Sequence, residues 1–184
     1  MGGTLGASGF IVGRRVPRST ASDDHSGQDL VVILSLDTAV MIDIMRRRSS
    51  LTRNSLHQAV SLGAKPVVSA AVMHELIVGS WMNPNPVIER ARIEEALLGI
   101  DVVELTADDA EVTGRVGGLL RRSGRPIGDL DTLIAGQALA RQWTVVTGNI
   151  RHFGRVEGLA LIDWSIRPEP LSPAEIAERV AISI

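Results

Sequence analysis

Three acidic residues stand in surroundings where an acid is out of place. Asp37 ends the run LVVILSL, residues 30–36, whose apolar and β-branched side chains suit a strand buried on both faces. Glu75 lies in AAVMHELIVG, and its helical neighbours three and four positions away are Ala71, Val72, Val78 and Gly79, so a carboxylate falls on a small, apolar, core-facing stripe. Asp131 lies in GDLDTLIAGQALA, where Ile134, Ala135 and Ala138 form the same kind of face. A buried carboxylate is costly unless something pairs with it. No equal number of inward lysines or arginines accompanies these acids, so the pattern implies a shared cation. All-oxygen ligation favours a hard ion, Mg2+ or Mn2+. Asn149 and His152 come in TGNIRHF, directly after the apolar run WTVVT, and open at a second strand end.

Each acid also has a structural explanation. Asp37 suits a helix N-cap, although Thr38 fills that role without burying charge. Asp129 reads as the N-cap of its own helix, which puts Asp131 in a first turn favoured by the helix dipole. Capping does not explain Glu75, which falls in mid-helix. The three together therefore favour chemistry.

The elements that must carry these residues alternate. Strands are predicted at Leu30–Leu36, Pro66–Ser69, Val102–Leu105, Trp143–Thr147 and Leu159–Ile162. Helices are predicted at Ala39–Arg48, Thr52–Leu62, Ala71–Trp81, Val87–Leu98, Ala107–Arg122 and Asp129–Ala140. SPAEIAERV, with Ser172 and Glu175 at capping-box spacing, reads as a terminal helix. This order implies an α/β sandwich with a mostly parallel sheet, and in such sheets ligands bind outside the carboxyl ends of the strands.

Composition sets the outer bounds. The 184 residues with 45% hydrophobic content suffice for one domain. Residues 1–29, rich in Gly, Ser and Thr without periodicity, read as a flexible tail; 30–166 form the domain and 167–184 a C-terminal extension. The absence of cysteine removes disulfides, zinc-thiolate sites and cysteine nucleophiles. A net charge of −2 announces no bulk affinity for nucleic acid, and no apolar run reaches membrane-spanning length. A soluble cytoplasmic protein is expected.

LDTAVMID, SAAVMHELIVG, GDLDTLIAGQALA and VVTGNIRHF, in this order, resemble the PIN-domain ribonucleases, most closely the toxins of VapBC toxin–antitoxin pairs. The resemblance runs from about residue 31 to Trp164. It implies a three-layer α/β/α fold and an endoribonuclease dependent on Mg2+ or Mn2+, leaving 5′-phosphate and 3′-hydroxyl ends. It also implies a small cognate antitoxin, a homodimer, and no membrane association. By the same resemblance Asp37 and Asp131 are metal ligands, direct or through water. Glu75 is a ligand or positions the attacking water. The family's fourth metal position falls on Asn149, neutral here, and His152 stands where some relatives carry an acid.

Candidate phosphate contacts are Arg121, Arg122 and Arg125 before the Asp131 helix, with Arg151, His152 and Arg155 after Asn149. Met41, Ile44, Met45, Leu56 and Val60 are candidates for an apolar grip on the antitoxin. A haloacid-dehalogenase-type phosphatase would want an acid where Ala39 stands. A dinucleotide fold would want a Gly-rich turn after the first strand. The rivals that stay open are a general RNA-processing nuclease and a scaffold that binds RNA or protein without cutting.

Overall fold

The computed structural model describes residues 31–47 and 49–181. The tail assigned to residues 1–29 lies outside them. Among the described residues five strands, β1 (Ile33–Leu36), β2 (Lys65–Ser69), β3 (Asp101–Val103), β4 (Thr144–Val146) and β5 (Ala160–Ile162), form one sheet in the order β3-β2-β1-β4-β5. Every pairing is parallel. The chain therefore winds outward from β1 to one edge and returns to its other side at β4. The crevice between the carboxyl ends of β1 and β4 is the topological switch point.

Among the described residues eight helices connect and cover the strands: α1 (Thr38–Met45), α2 (Ser50–Ser61), α3 (Ala70–Trp81), α4 (Pro86–Ala96), α5 (Ala107–Arg122), α6 (Asp129–Ala140), α7 (Ile150–Phe153) and α8 (Pro173–Ala181). This is a three-layer sandwich. Strand residues Leu34, Leu36, Val67, Val68, Val145, Val146 and Leu161 are buried from both faces against Met41, Val72, Leu76, Ile134, Ala135 and Ala138 of the helices. Burial on both faces is why these strands read as continuous apolar runs.

Local chemistry fixes the helix starts. Ser49 and Ser69 accept from Thr52 and Val72 backbone N–H at 3.1 and 3.2 Å. Thr106 and Asp109 form a reciprocal capping box on α5. Gly124, at φ +68°, turns the chain after α5 so that α6 returns along it. The two helices approach so closely at Gly136 that a Cβ there would lie 2.6 Å from Thr113 Cα. Arg141, just past α6, then clamps Asp109 through two contacts, Nε to Oδ1 at 2.8 Å and Nη2 to Oδ2 at 2.5 Å.

Several boundaries differ from the sequence expectation. The first strand begins at Ile33, not Leu30, with Val31 and Val32 leading into it. Gly128, not Asp129, caps α6, and Asp129 instead accepts from Arg121 at 2.6 Å. The segment after Asn149, read as a loop, makes the short helix α7. The terminal helix α8 starts at the expected Ser172–Glu175 box and packs on α7, where a Cβ on Gly154 would meet Ile176 and Val180 at 2.8 Å. Among the described residues no helix is long and apolar enough to cross a membrane.

Candidate active site

The switch-point crevice gathers the predicted acids. Asp37 sits between the end of β1 and α1, where its N–H donates to Val146 O of β4 at 3.0 Å. Its carboxylate is held on both oxygens. Thr38 N–H donates to Oδ1 at 2.7 Å and the Thr147 hydroxyl to Oδ2 at 2.8 Å. Thr147 Oγ1 in turn accepts the Asn149 N–H at 2.9 Å, so the turn after β4 is tied to the carboxylate after β1.

Asp37 is only 5% exposed. Burial pushes its carboxyl from the ordinary 3.8 up to about 6; the Thr147 and Thr38 hydrogen bonds oppose this, while the negative charges of Asp131 and Glu75 add to it. Two conclusions follow. The three carboxylates share one field, and among the described residues no lysine or arginine is one of the groups that shift Asp37.

Glu75 is carried by α3 and accepts from the Thr38 hydroxyl at 2.5 Å. Its helical stripe is less buried than expected. Val72 is in the core, but Val78 and Gly79 are exposed, so Glu75 faces the cleft rather than the interior. Asp131 lies in the first turn of α6, one turn before the fully buried Ile134 and Ala135. Its Oδ2 is 2.8 Å from His152 Nδ1 of α7. Thus α7 faces the acids across the cleft, with Asn149 at its N-cap and His152 in its last turn.

The donors suit a hard divalent cation. They are carboxylate oxygens of Asp37, Glu75 and Asp131, near enough that the charges of Asp131 and Glu75 add to the rise that burial gives Asp37. Among the described residues no three acid or histidine side chains already stand in a metal-enclosing cluster. Instead each acid is held by a neighbour: Asp37 by Thr147 and Thr38, Glu75 by Thr38, Asp131 by His152. Thr38 and Thr147 are the residues that sequence reasoning missed here. Their signal was present in LDT and VVTGN, a hydroxyl beside each strand end, but Thr38 was weighed only as a cap.

The five arginines expected to meet phosphate are not brought to one place. Arg121 pairs with Asp129 at 2.6 Å, both exposed. Arg151 lies exposed on α7. Arg122, Arg125 and Arg155 do share a groove of about 580 Å³, together with Arg115 of α5, which sequence reasoning did not select. Of the residues expected to grip a partner, Ile44, Met45, Leu56 and Val60 line a different groove of about 440 Å³. Met41 is fully buried and belongs to the core instead.

Comparison with known proteins agrees with this fold. The family model for the PIN domain matches residues 34–159. The chain is 36% identical over 132 residues to the tRNA(fMet)-specific endonuclease VapC of Shigella flexneri, an alignment covering 71% of this chain and 96% of that protein. It is 30% identical over 129 residues to the protein of the same name from Salmonella typhimurium, covering 70% and 96%. Among solved structures, the DNA-bound VapBC complex of Salmonella typhimurium superimposes with a TM-score of 0.68 at 29% identity, covering 73% of this chain and 99% of the matched one.

Proposed function

The chain belongs to the PIN-domain family, and we propose that it is a divalent-metal-dependent endoribonuclease acting as the toxin of a toxin–antitoxin pair. One observation carries the reading: the carboxyl of Asp37 is buried at the switch point, and the charges of Asp131 and Glu75 add to the rise that burial gives it, so three acids converge on one crevice. Asp37 also caps α1 by accepting the Thr38 N–H, but a cap needs neither this burial nor two further acids beside it. The VapC names and the VapBC complex among the similar proteins support the biological role.

In this reading Asp37, Glu75, Asp131 and the Asn149 amide hold Mg2+ or Mn2+, which when bound supplies an activated water and charge for the developing phosphorane. The chain's own residues do the rest. Thr147 and Thr38 fix Asp37 so that its oxygens do not turn away. Thr38 also orients Glu75, which positions the attacking water. His152 braces Asp131 from the opposite wall. Attack of water oxygen on phosphorus breaks the P–O3′ bond, leaving 5′-phosphate and 3′-hydroxyl ends.

The partner is a small antitoxin. Its arginine would enter the acidic crevice, where charge-assisted pairs with the carboxylates compete with the cation. Its apolar side chains would occupy the groove of Ile44, Met45, Leu56 and Val60, which α1 joins to the crevice because that helix begins at Thr38. A buried Arg53 Nη1 without a hydrogen-bond partner lies at this groove and would welcome an acidic side chain from the same segment. A homodimer has a candidate surface in Trp81, Met82, Val87 and Ile88, all exposed around the junction of α3 and α4.

The test is cleavage of RNA by purified chain with Mg2+ or Mn2+, with EDTA, and with Asp131→Asn. Cleavage that needs metal and is lost in a variant with an unchanged melt supports the reading. Metal-independent cleavage, or undiminished cleavage by Asp131→Asn, overturns it. Folded, metal-binding wild type that never cuts points instead to the scaffold reading that neutral Asn149 favours.

A further inference from the structure

The groove beside α5 is set apart by its charge. On a chain of net charge −2, it is lined by four arginines, Arg115, Arg122, Arg125 and Arg155, and a single acid, Glu157. Seven arginines elsewhere are matched to acids: Arg47 with Glu95, Arg90 with Glu94, Arg92 with Glu89, Arg121 with Asp129, Arg141 with Asp109, Arg167 with Glu175 and Arg179 with Asp163. Among the described residues no ion pair joins Arg115, Arg122 or Arg125 to an acid, although the chain carries 21 Asp and Glu. Keeping like charges together without counter-charges is unfavourable for the isolated fold. Such a cluster suits an anionic ligand.

The layout says which kind. Arg115 and Arg122 are two turns apart on α5, on one face and about 10 Å apart along the axis. Charges spread along a groove fit a chain of phosphates better than a single phosphate. Val116, Leu119, Leu120, Leu139 and Val156 give the groove an apolar floor, against which ribose and bases can lie. Position ties the groove to the crevice. Arg155 donates to Pro126 O at 2.9 Å, bracing the 123–128 loop against the end of α7. The far end of that loop is Gly128, where an added Cβ would lie 3.7 Å from Asp131 Oδ2. One loop therefore connects the groove to the helix turn that carries Asp131.

Resting on the nuclease reading, we propose that this groove is a second RNA-binding site, holding the sugar–phosphate backbone of the substrate beyond the scissile bond. RNA bound in the crevice crosses the 123–128 loop and is gripped by Arg115, Arg122 and Arg125. Arg155 is a positioning residue, because its guanidinium is already engaged in holding the loop. The groove makes the enzyme selective for RNA long or folded enough to reach both sites. A short oligonucleotide confined to the crevice gains nothing from it.

The experiment compares full-length wild type with the double variant Arg115→Ala/Arg122→Ala, after equal melting temperatures show that both are folded. Steady-state cleavage is measured on a short single-stranded RNA and on a folded RNA of transfer-RNA size. For the folded RNA, KM rises about tenfold with kcat held, and the slope of log KM against log salt falls by about 1 to 2. For the short RNA nothing changes. Equal loss on both substrates, or no loss on either, overturns the proposal. So does a variant that keeps its KM for folded RNA but no longer binds the antitoxin, since the groove then serves a protein partner. If wild type cuts neither RNA, the nuclease reading fails and the groove is judged separately, by anisotropy of labelled folded RNA in EDTA. Weaker binding by the variant sustains the groove, and equal binding sinks it.

Discussion

Asp37→Asn should make the metal-free protein more stable, and the gain should depend on pH in a defined direction. Holding the Asp37 carboxyl at about 6 in place of 3.8 means that ionising it costs about 3 kcal/mol more in the folded chain than in the unfolded one. Between those values the folded chain binds more protons, so wild-type stability falls as pH rises through the window from about 4 to about 6. The full cost is present above it. Asparagine carries no charge and escapes this cost. Its amide oxygen can still accept from Thr38 N–H, but its NH2 must donate to Thr147 Oγ1, which already accepts from Asn149; that weaker arrangement costs about 1 kcal/mol. The variant should therefore be about 2 kcal/mol more stable than wild type at pH 8 and about 1 kcal/mol less stable at pH 4. At the upper pH that is a rise of roughly 4–8 °C in Tm for a domain of this size. Urea unfolding in EDTA across this range measures the difference directly. Mg2+ or Mn2+ should then stabilise wild type and leave the variant almost unmoved. A difference that stays flat from pH 4 to pH 8, or a wild type that is the more stable at pH 8, would refute the cost of ionising Asp37 in its buried place beside two acids.

Two further substitutions probe the supports of the site and of the fold. Thr38→Val removes the hydroxyl that Glu75 accepts; kcat on RNA should drop about tenfold, or about 1.4 kcal/mol, with Tm and KM nearly unchanged, and equal kcat would show that Glu75 needs no such orientation. Asp109→Asn should destabilise by about 2–4 kcal/mol, because Arg141 loses its charged partner and the α5 capping box weakens. Arg141 holds the Asp109 carboxyl well below the usual range, so wild type should lose this contribution as pH falls below about 4 and the variant should have none to lose. Parallel acid-denaturation curves for the two chains would contradict that assignment.

What the sequence made legible was whatever depended on one element at a time. Continuous apolar runs located β1, β2, β4 and β5, because strands covered on both faces need no polar side, whereas the edge strand β3 is largely exposed. The Ser172–Glu175 spacing located the start of α8 because a capping box is local chemistry. Asp37, Glu75 and Asp131 stood out because each violates the pattern of its own element, so the violation is visible before the elements meet. Contacts made only on assembly were not visible. Thr38 reaches Glu75 across 37 positions and Thr147 reaches Asp37 across 110, and no spacing rule links residues so far apart. The arginines failed for a related reason. Read along the chain, Arg121, Arg122 and Arg125 looked equivalent, yet Arg121 turns to Asp129 while Arg122 and Arg125 join Arg115 from two turns earlier in the helix. A helix parts adjacent residues onto different faces and brings together residues seven apart. The charge pattern of a binding surface is therefore written in helical, not linear, proximity, and Arg115 becomes a candidate only once α5 and the loop after it are placed.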